Sequence, residues 1–540
     1  MMPASLSLVQ VQQKIDEVRR FLTIALSIAN AHTVEFYTHD VWNRFMAVAP
    51  RGVLSAVTAC TDHQREHEFK ENGLETTFGF CPESHRLVNI HELLKAARML
   101  SLPGLGICLS RDELLQSVQQ ICTSSVSVFE TDEFMSTKKS HEVQCMSEVV
   151  AHLAQGCDVK QVIDVGSGKG YLSSFLSMQY GLQVYGIDSS SINTHGAQER
   201  SRKLKTFSKA YRQQSKAQKR STPQEETQSN IVTLNDQRSE IMEKIDHLRR
   251  NNPRISWGFV LSALSLDIIE TTSLTVPSCQ LSDEERERRK RENLERKAQN
   301  RTGSESPVFS PITSYVTADT ELRELISDLQ AAVLVGLHTC GDLAPSSLRM
   351  FVAKTELSAV CSVGCCYHLL SEEFDPNSVC GFPLSQYLRE QSYFCGRNAR
   401  MSACLIQMES LFYRAVLHVI LRDHYGSFKS EKRVGNVYSK TKSFVDYVRR
   451  ALQRLELDEM KLSNSDIQDY HDKYRPRMNE MHAFNMLKVT LAPCIEGFLL
   501  LDRLCYLKEQ ENVSYSALVQ LFDRLLSPRC YAVIGLKKNR

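Results

Sequence analysis

The sequence predicts an α/β fold built on a Rossmann-like parallel sheet. A short apolar run at 162–165 precedes a turn with three glycines, Gly166, Gly168 and Gly170. Continuous apolar runs are typical of strands buried on both faces, and glycines let the backbone turn sharply and approach a ligand. After a short helical pattern, a second apolar run ends at Asp188. Strand, glycine loop, helix and strand therefore form one βαβ unit.

The glycine loop favours S-adenosylmethionine over a dinucleotide. The dinucleotide fingerprint needs a pyrophosphate and a third small residue, where this chain has the bulky Tyr171. Asp164 would repel a phosphate but would accept hydrogen bonds from an ammonium group, which S-adenosylmethionine carries. A plain strand-to-helix turn without a ligand is the alternative. We predict that the cofactor is S-adenosylmethionine and that Asp188 binds its ribose; the predicted cofactor-binding residues are Asp164, Gly166, Ser167, Gly168, Gly170 and Asp188.

Composition indicates a chain with large cores and no membrane span. The chain has 540 residues, 42% of them hydrophobic, and a net charge of +2. Its apolar stretches are shorter than the roughly 20 residues that cross a bilayer. The 17 cysteines are scattered and odd in number, which favours reduced thiols over a disulfide framework. We therefore expect a cytoplasmic or nuclear protein without membrane partners.

The remaining pattern divides the chain into four regions. Residues 1–130 have helical periodicity and predict an accessory domain, and 131–205 predict the first half of the α/β domain. Residues 206–306 are charged with little periodicity, which predicts a disordered insertion. Its basic edge could instead contact RNA. Residues 307–540 complete the α/β domain, with a helical elaboration near 391–512 and further strands at 312–316, 332–337, 359–363 and 531–536.

Polar side chains follow the fourth and fifth predicted strands, at His338–Asp342 and Gly364–His368. Ligands bind at the carboxyl ends of strands in open α/β sheets, so both segments should line one cleft with the glycine loop. Their one carboxylate, two imidazoles and one phenol could position a nucleophile or remove its proton. Small Cys and Gly residues that simply allow tight packing are the alternative. The candidate catalytic residues are Asp342, His338, Tyr367 and His368, together with Lys139 and Glu142 from an upstream helix.

The same segments contain three cysteines and two histidines that a zinc ion could use. Cys365 and Cys366 are adjacent, however, and adjacent cysteines do not easily bind one tetrahedral ion. The cluster also contains no Cys-x-x-Cys pair. We therefore predict no metal site and keep zinc as the alternative.

At these residues the chain resembles the methyltransferase-like protein 25 family. The resemblance implies a class I Rossmann-like methyltransferase sheet that uses S-adenosylmethionine. The residue pattern adds to this sheet a helical N-terminal region, a charged disordered insertion and a helical C-terminal elaboration. The Lys-Lys-x-His-Glu, His-x-Cys-Gly and Cys-Cys-x-His elements are also similar to those of a tRNA ribose 2′-O-methyltransferase family. The resembling blocks are Ser27–Thr33, Lys138–Val143, Val162–Asp188, Val335–Asp342, Val363–Glu373, Cys395–Arg400 and Leu491–Glu509.

RNA is the expected acceptor class, although the adenine-dimethylase label of one related protein fits these residues poorly. Adenine amines are commonly methylated from an Asn- or Asp-x-Pro-Tyr motif, whereas the fourth strand here ends in His338–Asp342. Ribose methylation needs a base for a hydroxyl proton, and Lys139, Glu142 and Asp342 are candidates. Methylation of a protein or small molecule, or a non-catalytic binding protein on this fold, remain the alternatives.

Overall fold

The computed structural model describes residues 6–61, 77–119, 135–202, 309–372, 380–402, 408–426, 434 and 437–538. The predicted insertion at 206–306 lies outside these residues and stays a prediction. Within the described chain, eight strands form one sheet in the order β1-β7-β8-β6-β5-β2-β3-β4. The strands are β1 Cys108–Ser110, β2 Gln161–Val165, β3 Gln183–Asp188, β4 Phe309–Thr313, β5 Ala332–Thr339, β6 Leu357–Gly364, β7 Val513–Gln520 and β8 Tyr531–Lys537.

The sheet confirms the predicted Rossmann-like class. The chain runs outward from β2 through β3 to β4, and then returns to the other side of β2 with β5 and β6. The carboxyl ends of β2 and β5 therefore flank the point where the strand order reverses, which is where open α/β sheets bind ligands. Helices Thr137–Gly156, Tyr171–Tyr180, 191–202, Leu322–Leu325 and Leu343–Ala353 complete this part of the fold.

The sheet is mixed, because the last strand runs against both of its neighbours. β8 pairs antiparallel with both β6 and β7, whereas the other neighbouring pairs are parallel. β7 and β8 are joined by a short connection, which suits an antiparallel pair, whereas parallel neighbours need a crossover. β7 and the short β1 were not predicted from the sequence. The third strand was predicted at 312–316, three residues later than β4 begins.

The N-terminal helices pack against the C-terminal ones. Leu8–Asn30 begins with a capping box between Ser7 and Gln10 and packs against the long helix Met478–Lys508. Its buried apolar residues recur every three or four positions, which gives one continuous face toward that helix. The remaining helices of the N-terminal region are Val41–Phe45, Pro50–Thr61, Ile90–Met99, Leu102–Leu105 and Arg111–Gln119.

The predicted elaboration near 391–512 contains mainly helices. They are Arg397–Ser402, Met408–Tyr425, Phe444–Arg454, Asn464–Tyr474 and Met478–Lys508, with Gln386–Glu390 just before them. In the described chain, the continuous helical run Asn464–Lys508 is long and apolar enough to cross a membrane by length and composition alone. However, 67% of its most apolar window is buried inside the fold, as in the core helix of a globular domain.

Candidate active site

The glycine loop forms the sharp turn that the sequence predicts. Gly166, Gly168 and Gly170 have φ angles of 70°, 54° and 69°, in the left-handed region that glycine adopts without strain. A Cβ on Gly170 would lie 2.7 Å from the ring of Phe309, so this glycine lets the loop pack against β4. A Cβ on Gly168 would meet no atom within 4 Å. The backbone at Gly168 therefore borders open space.

Asp188 closes the base of this loop. One carboxylate oxygen accepts a hydrogen bond from the Gly168 amide at 2.9 Å. The other oxygen accepts from the Ser190 amide at 2.9 Å and from the side-chain amide of Asn193 at 3.1 Å. An ionised carboxylate offers about four lone-pair sites, so Asp188 keeps the capacity for one more donor.

Asp164, near the end of β2, and Ser167, within the loop, both have buried polar atoms. Asp164 is 1% exposed and accepts a 2.6 Å hydrogen bond from the hydroxyl of Ser173. Burial raises the pKa of Asp164 to about 7; the Ser173 hydrogen bond opposes this shift, and the negative charge of Asp188 adds to it. The buried Ser167 hydroxyl has no hydrogen-bond partner among the described residues. The predicted contacts of Asp164 and Ser167 with the cofactor stay predictions.

Cationic side chains surround the first residue of the helix that follows the loop. The guanidinium of Arg200 lies 3.8 Å from the centroid of the Tyr171 ring, and Nζ of Lys139 lies 4.6 Å from it. These distances are within the range of cation–π contacts. Lys139, a predicted catalytic residue, and Lys169 within the loop are both exposed. The rim of the glycine loop is therefore basic and aromatic.

Glu142 and His338, two of the predicted catalytic residues, are in direct contact. Nε2 of His338 lies 2.9 Å from a carboxylate oxygen of Glu142, whose other oxygen accepts a 2.6 Å hydrogen bond from Ser527. Burial alone would raise the pKa of Glu142, but the hydrogen bond and charge of His338 and the Ser527 hydroxyl lower it overall. Since an ionised carboxylate only accepts, Nε2 of His338 donates the hydrogen bond to Glu142.

His338 also has an unusual backbone. Its φ of 62° lies in the left-handed region, and the β5–β6 register shifts between Leu337 and Thr339. A non-glycine residue in this region stores strain that surrounding contacts must offset, and such strain clusters at functional sites. The imidazole keeps 30% of its surface exposed, whereas the Glu142 side chain keeps 2%. The pair therefore consists of an accessible imidazole on a buried carboxylate.

Asp342, Tyr367 and His368 have other neighbours. Asp342 accepts a 2.8 Å hydrogen bond from the Ser371 amide and so ties the start of helix Leu343–Ala353 to the segment after β6. Tyr367 is 1% exposed and donates its hydroxyl to Glu496 at 2.9 Å, a contact away from the surface. His368 is half-buried, and burial lowers its pKa. Their predicted catalytic roles remain untested.

Three cysteines meet beside His338. The Sγ atom of Cys340 lies 3.1 Å from that of Cys365 and 3.3 Å from that of Cys366. Hydrogen bonding to the thiols of Cys340 and Cys366, together with burial, raises the pKa of Cys365. The sequence placed these residues at one sheet edge, but it gave no reason to expect all three thiols in contact.

Distant blocks of sequence anchor the segment that carries Cys365 to His368. Buried Arg400 pairs with buried Glu372 and donates to the carbonyl of Tyr367 at 3.0 Å. Glu372 accepts from the amide of Cys395 at 2.6 Å. The side chain of Asn30 donates to the Cys395 carbonyl at 2.8 Å. Three blocks that carry the sequence resemblance thus form one support for the site.

Comparison with known proteins agrees with this geometry. A family model described as a methyltransferase domain matches residues 138–373. The chain is 45% identical to the Mus musculus protein named “Probable methyltransferase-like protein 25”, over 100% of this chain and 98% of that protein. Its identity to the Homo sapiens protein of the same name is 43%, over 100% of this chain and 99% of that protein. The chain belongs to the methyltransferase-like protein 25 family.

Membership of the methyltransferase-like protein 25 family confirms the resemblance found in the sequence. The matched methyltransferase domain contains the glycine loop, the Glu142–His338 pair and the three cysteines. Ser527, which completes the environment of Glu142, lies outside that domain and had no sequence signal. Asn30 and Arg400 also lie outside it, although both fall in blocks that resemble the family. The C-terminal and N-terminal segments of this family member therefore contribute to its candidate site.

Proposed function

We propose that this protein transfers a methyl group from S-adenosylmethionine to RNA. The observation that carries the proposal is the glycine loop, where three left-handed glycines end β2 at the reversal of strand order and Gly168 borders open space. Membership of a methyltransferase-like family and the matched methyltransferase domain support it. The acceptor and the cofactor are the two parts of the proposal that need separate tests.

The loop residues fit S-adenosylmethionine. The space beside Gly168 allows ligand atoms to approach the backbone, and the remaining lone pair of Asp188 can accept one ribose hydroxyl. Tyr171 occupies the position where a dinucleotide fingerprint needs a small residue. Asp164 accepts the Ser173 hydroxyl on one carboxylate oxygen, and the lone pairs of its other oxygen can accept from an ammonium group.

S-adenosylmethionine, when bound, supplies an electrophilic methyl group on its sulfonium. We assign to His338 the removal of a proton from the acceptor hydroxyl at Nδ1. Glu142 fixes the ring through Nε2 and compensates the positive charge that the ring then gains. General bases of this kind contribute roughly 10²- to 10⁴-fold to a rate. The strained backbone of His338 is consistent with a ring held for function.

The rim of the loop favours RNA as the acceptor. Lys139, Lys169 and Arg200 provide cationic groups there, and Tyr171 provides an aromatic ring. Nucleic-acid affinity rests largely on cations at phosphates, and single strands also stack on aromatic side chains. The net charge of +2 makes such a local patch necessary. A ribose hydroxyl suits a histidine base better than an adenine amine does.

The test is transfer of labelled methyl from S-adenosylmethionine by the full-length protein into separate RNA, protein and metabolite fractions. We expect label in RNA, in dinucleotides that resist alkaline hydrolysis because the ribose hydroxyl is blocked. Label in protein or metabolites would reject the RNA acceptor. Calorimetric binding of S-adenosylmethionine without transfer to any fraction would favour a non-catalytic binding protein. Binding of NAD but not of S-adenosylmethionine would reject the cofactor.

A further inference from the structure

The turns that follow β5 and β6 are in close contact at the carboxyl edge of the sheet. β5 and β6 are parallel neighbours, with Thr339 opposite Gly364, so their ends lie side by side. Gly341 has a φ of 54°, and a Cβ there would lie 2.8 Å from Cβ of Leu369 and 2.9 Å from its carbonyl oxygen. Only glycine permits this approach. The close contact brings Cys340 against the Cys365–Cys366 pair.

We propose that Cys340, Cys365 and Cys366 together bind one zinc ion. The three Sγ atoms are separated by 3.1, 3.3 and 3.6 Å. Zinc binds cysteine sulfur at about 2.3 Å, which puts two sulfurs of a tetrahedral site about 3.8 Å apart. Each pair therefore needs to separate by only a few tenths of an ångström, or slightly more, to receive the ion.

The structure removes the objection that adjacent cysteines raise. The Sγ atoms of Cys365 and Cys366 are 3.6 Å apart, so both side chains point to the same side of the turn that follows β6. No pair lies at the roughly 2.05 Å of a disulfide bond. A cysteine that only fills space in the core is expected to be buried, as Cys361 in β6 is. Cys340, in contrast, is exposed. Packing alone thus gives a poor account of Cys340.

The ligand set also indicates which ion binds and how. Thiolates select soft or borderline ions such as zinc over magnesium or calcium. Cys340 and Cys365 now donate to the carbonyl of His338, and these two contacts end when the sulfurs lose their protons. Three thiol protons leave as three zinc–sulfur bonds form. Three protein ligands leave the fourth coordination position for water or another ligand, as in sites that are not purely structural.

The first test is the zinc content of full-length protein purified under reducing conditions, measured by mass spectrometry after dialysis. We expect about one zinc per chain by the proposed stoichiometry. Cys340→Ser, Cys365→Ser and Cys366→Ser should each bind zinc at least tenfold more weakly. Cys81→Ser, which changes a cysteine outside the cluster, should retain the ion. Retention of zinc by all three cluster variants would reject the site.

A second measurement uses the unaltered sequence, so that it does not depend on the folding of variants. Cobalt added to chelator-treated protein should give sulfur-to-cobalt charge-transfer absorption, and zinc should abolish it. Zinc should also slow alkylation of exposed Cys340 at least tenfold and leave that of Cys81 unchanged. Absent cobalt bands and equal alkylation with and without zinc would overturn the proposal.

Discussion

Nε2 of His338 lies 2.9 Å from the carboxylate of Glu142, although 196 positions separate the two residues. The contact joins the end of β5 to the first turns of helix Thr137–Gly156. A carboxylate that is 1% exposed is costly to ionise unless hydrogen bonds and a partner compensate it. His338 and Ser527 provide that compensation, and the pKa of Glu142 falls below its usual range despite burial.

Glu142→Gln should lower methyl transfer by roughly a hundredfold, because an amide cannot stabilise the imidazolium that forms when a base takes a proton. Cofactor affinity should change little, since the hydrogen bonds of the Glu142 carboxylate go to His338 and Ser527 and not to the glycine loop. Ser527→Ala is the matched control, because it removes a hydrogen bond from the same carboxylate and leaves His338 in place. Turnover and calorimetric titration check both variants. Equal turnover of Glu142→Gln and wild type would contradict the assigned pair.

Gly168→Leu should abolish measurable cofactor binding, because the new side chain enters the open space beside the loop. The left-handed backbone adds a strain of roughly 1–2 kcal/mol for any L side chain. Gly181→Leu matches this strain, since Gly181 has a φ of 66° and a Cβ there also meets no atom within 4 Å. Both variants should lose similar thermal stability, and only Gly168→Leu should lose binding in calorimetry. Normal binding by Gly168→Leu would place the cofactor elsewhere.

Asp188→Ala should weaken S-adenosylmethionine binding by about 1.5 to 3 kcal/mol, the range for a hydrogen bond to a charged group. The change removes the predicted ribose acceptor and also releases the Gly168 amide. Asn193→Ala removes one donor to the same carboxylate and leaves the Gly168 contact, so its binding should stay close to wild type. An unchanged dissociation constant for Asp188→Ala would remove Asp188 from the site.

The variant Asp342→Asn distinguishes between His338 and Asp342 as the general base. An asparagine oxygen still accepts from the Ser371 amide, so the melting temperature and cofactor affinity should not change. If His338 is the base, turnover should stay within a few-fold of wild type. A hundredfold loss of turnover in a stable Asp342→Asn protein would transfer the base role to Asp342, as the sequence analysis expected.

Asp164→Asn should raise the melting temperature at pH 8. Burial lifts the folded-state pKa of Asp164 from 3.8 to about 7, so the folded protein binds this proton more tightly than the unfolded chain. Its stabilising contribution is complete below pH 3.8 and is lost as the pH rises toward 7. The advantage of Asp164→Asn should therefore shrink between pH 7 and pH 4. Parallel melting curves at every pH would contradict this.

Most of the sheet could be predicted because its central strands are continuous apolar runs followed by polar or glycine-rich turns. β2, β3, β5 and β6 each have this pattern. β7 does not, since serines alternate with apolar residues at its start and it directly follows a long helix. β8 runs antiparallel to β7, with which it forms a hairpin. Since β7 was not predicted, the direction of β8 was not predicted either. Local pattern therefore identified the Rossmann-like class but left one edge of the sheet incomplete.

The sequence by itself determined the glycine loop, its acid Asp188 and the two polar segments at the ends of β5 and β6, because each is a short-range pattern of residue types with one main structural solution. The tertiary structure alone decided which side chains meet. The pairing of His338 with Glu142 and Ser527 depends on three distant segments, and the contact of Cys340 with Cys365 and Cys366 depends on two neighbouring turns. Contacts between distant residues follow from how strands and helices pack, and local sequence does not specify that packing.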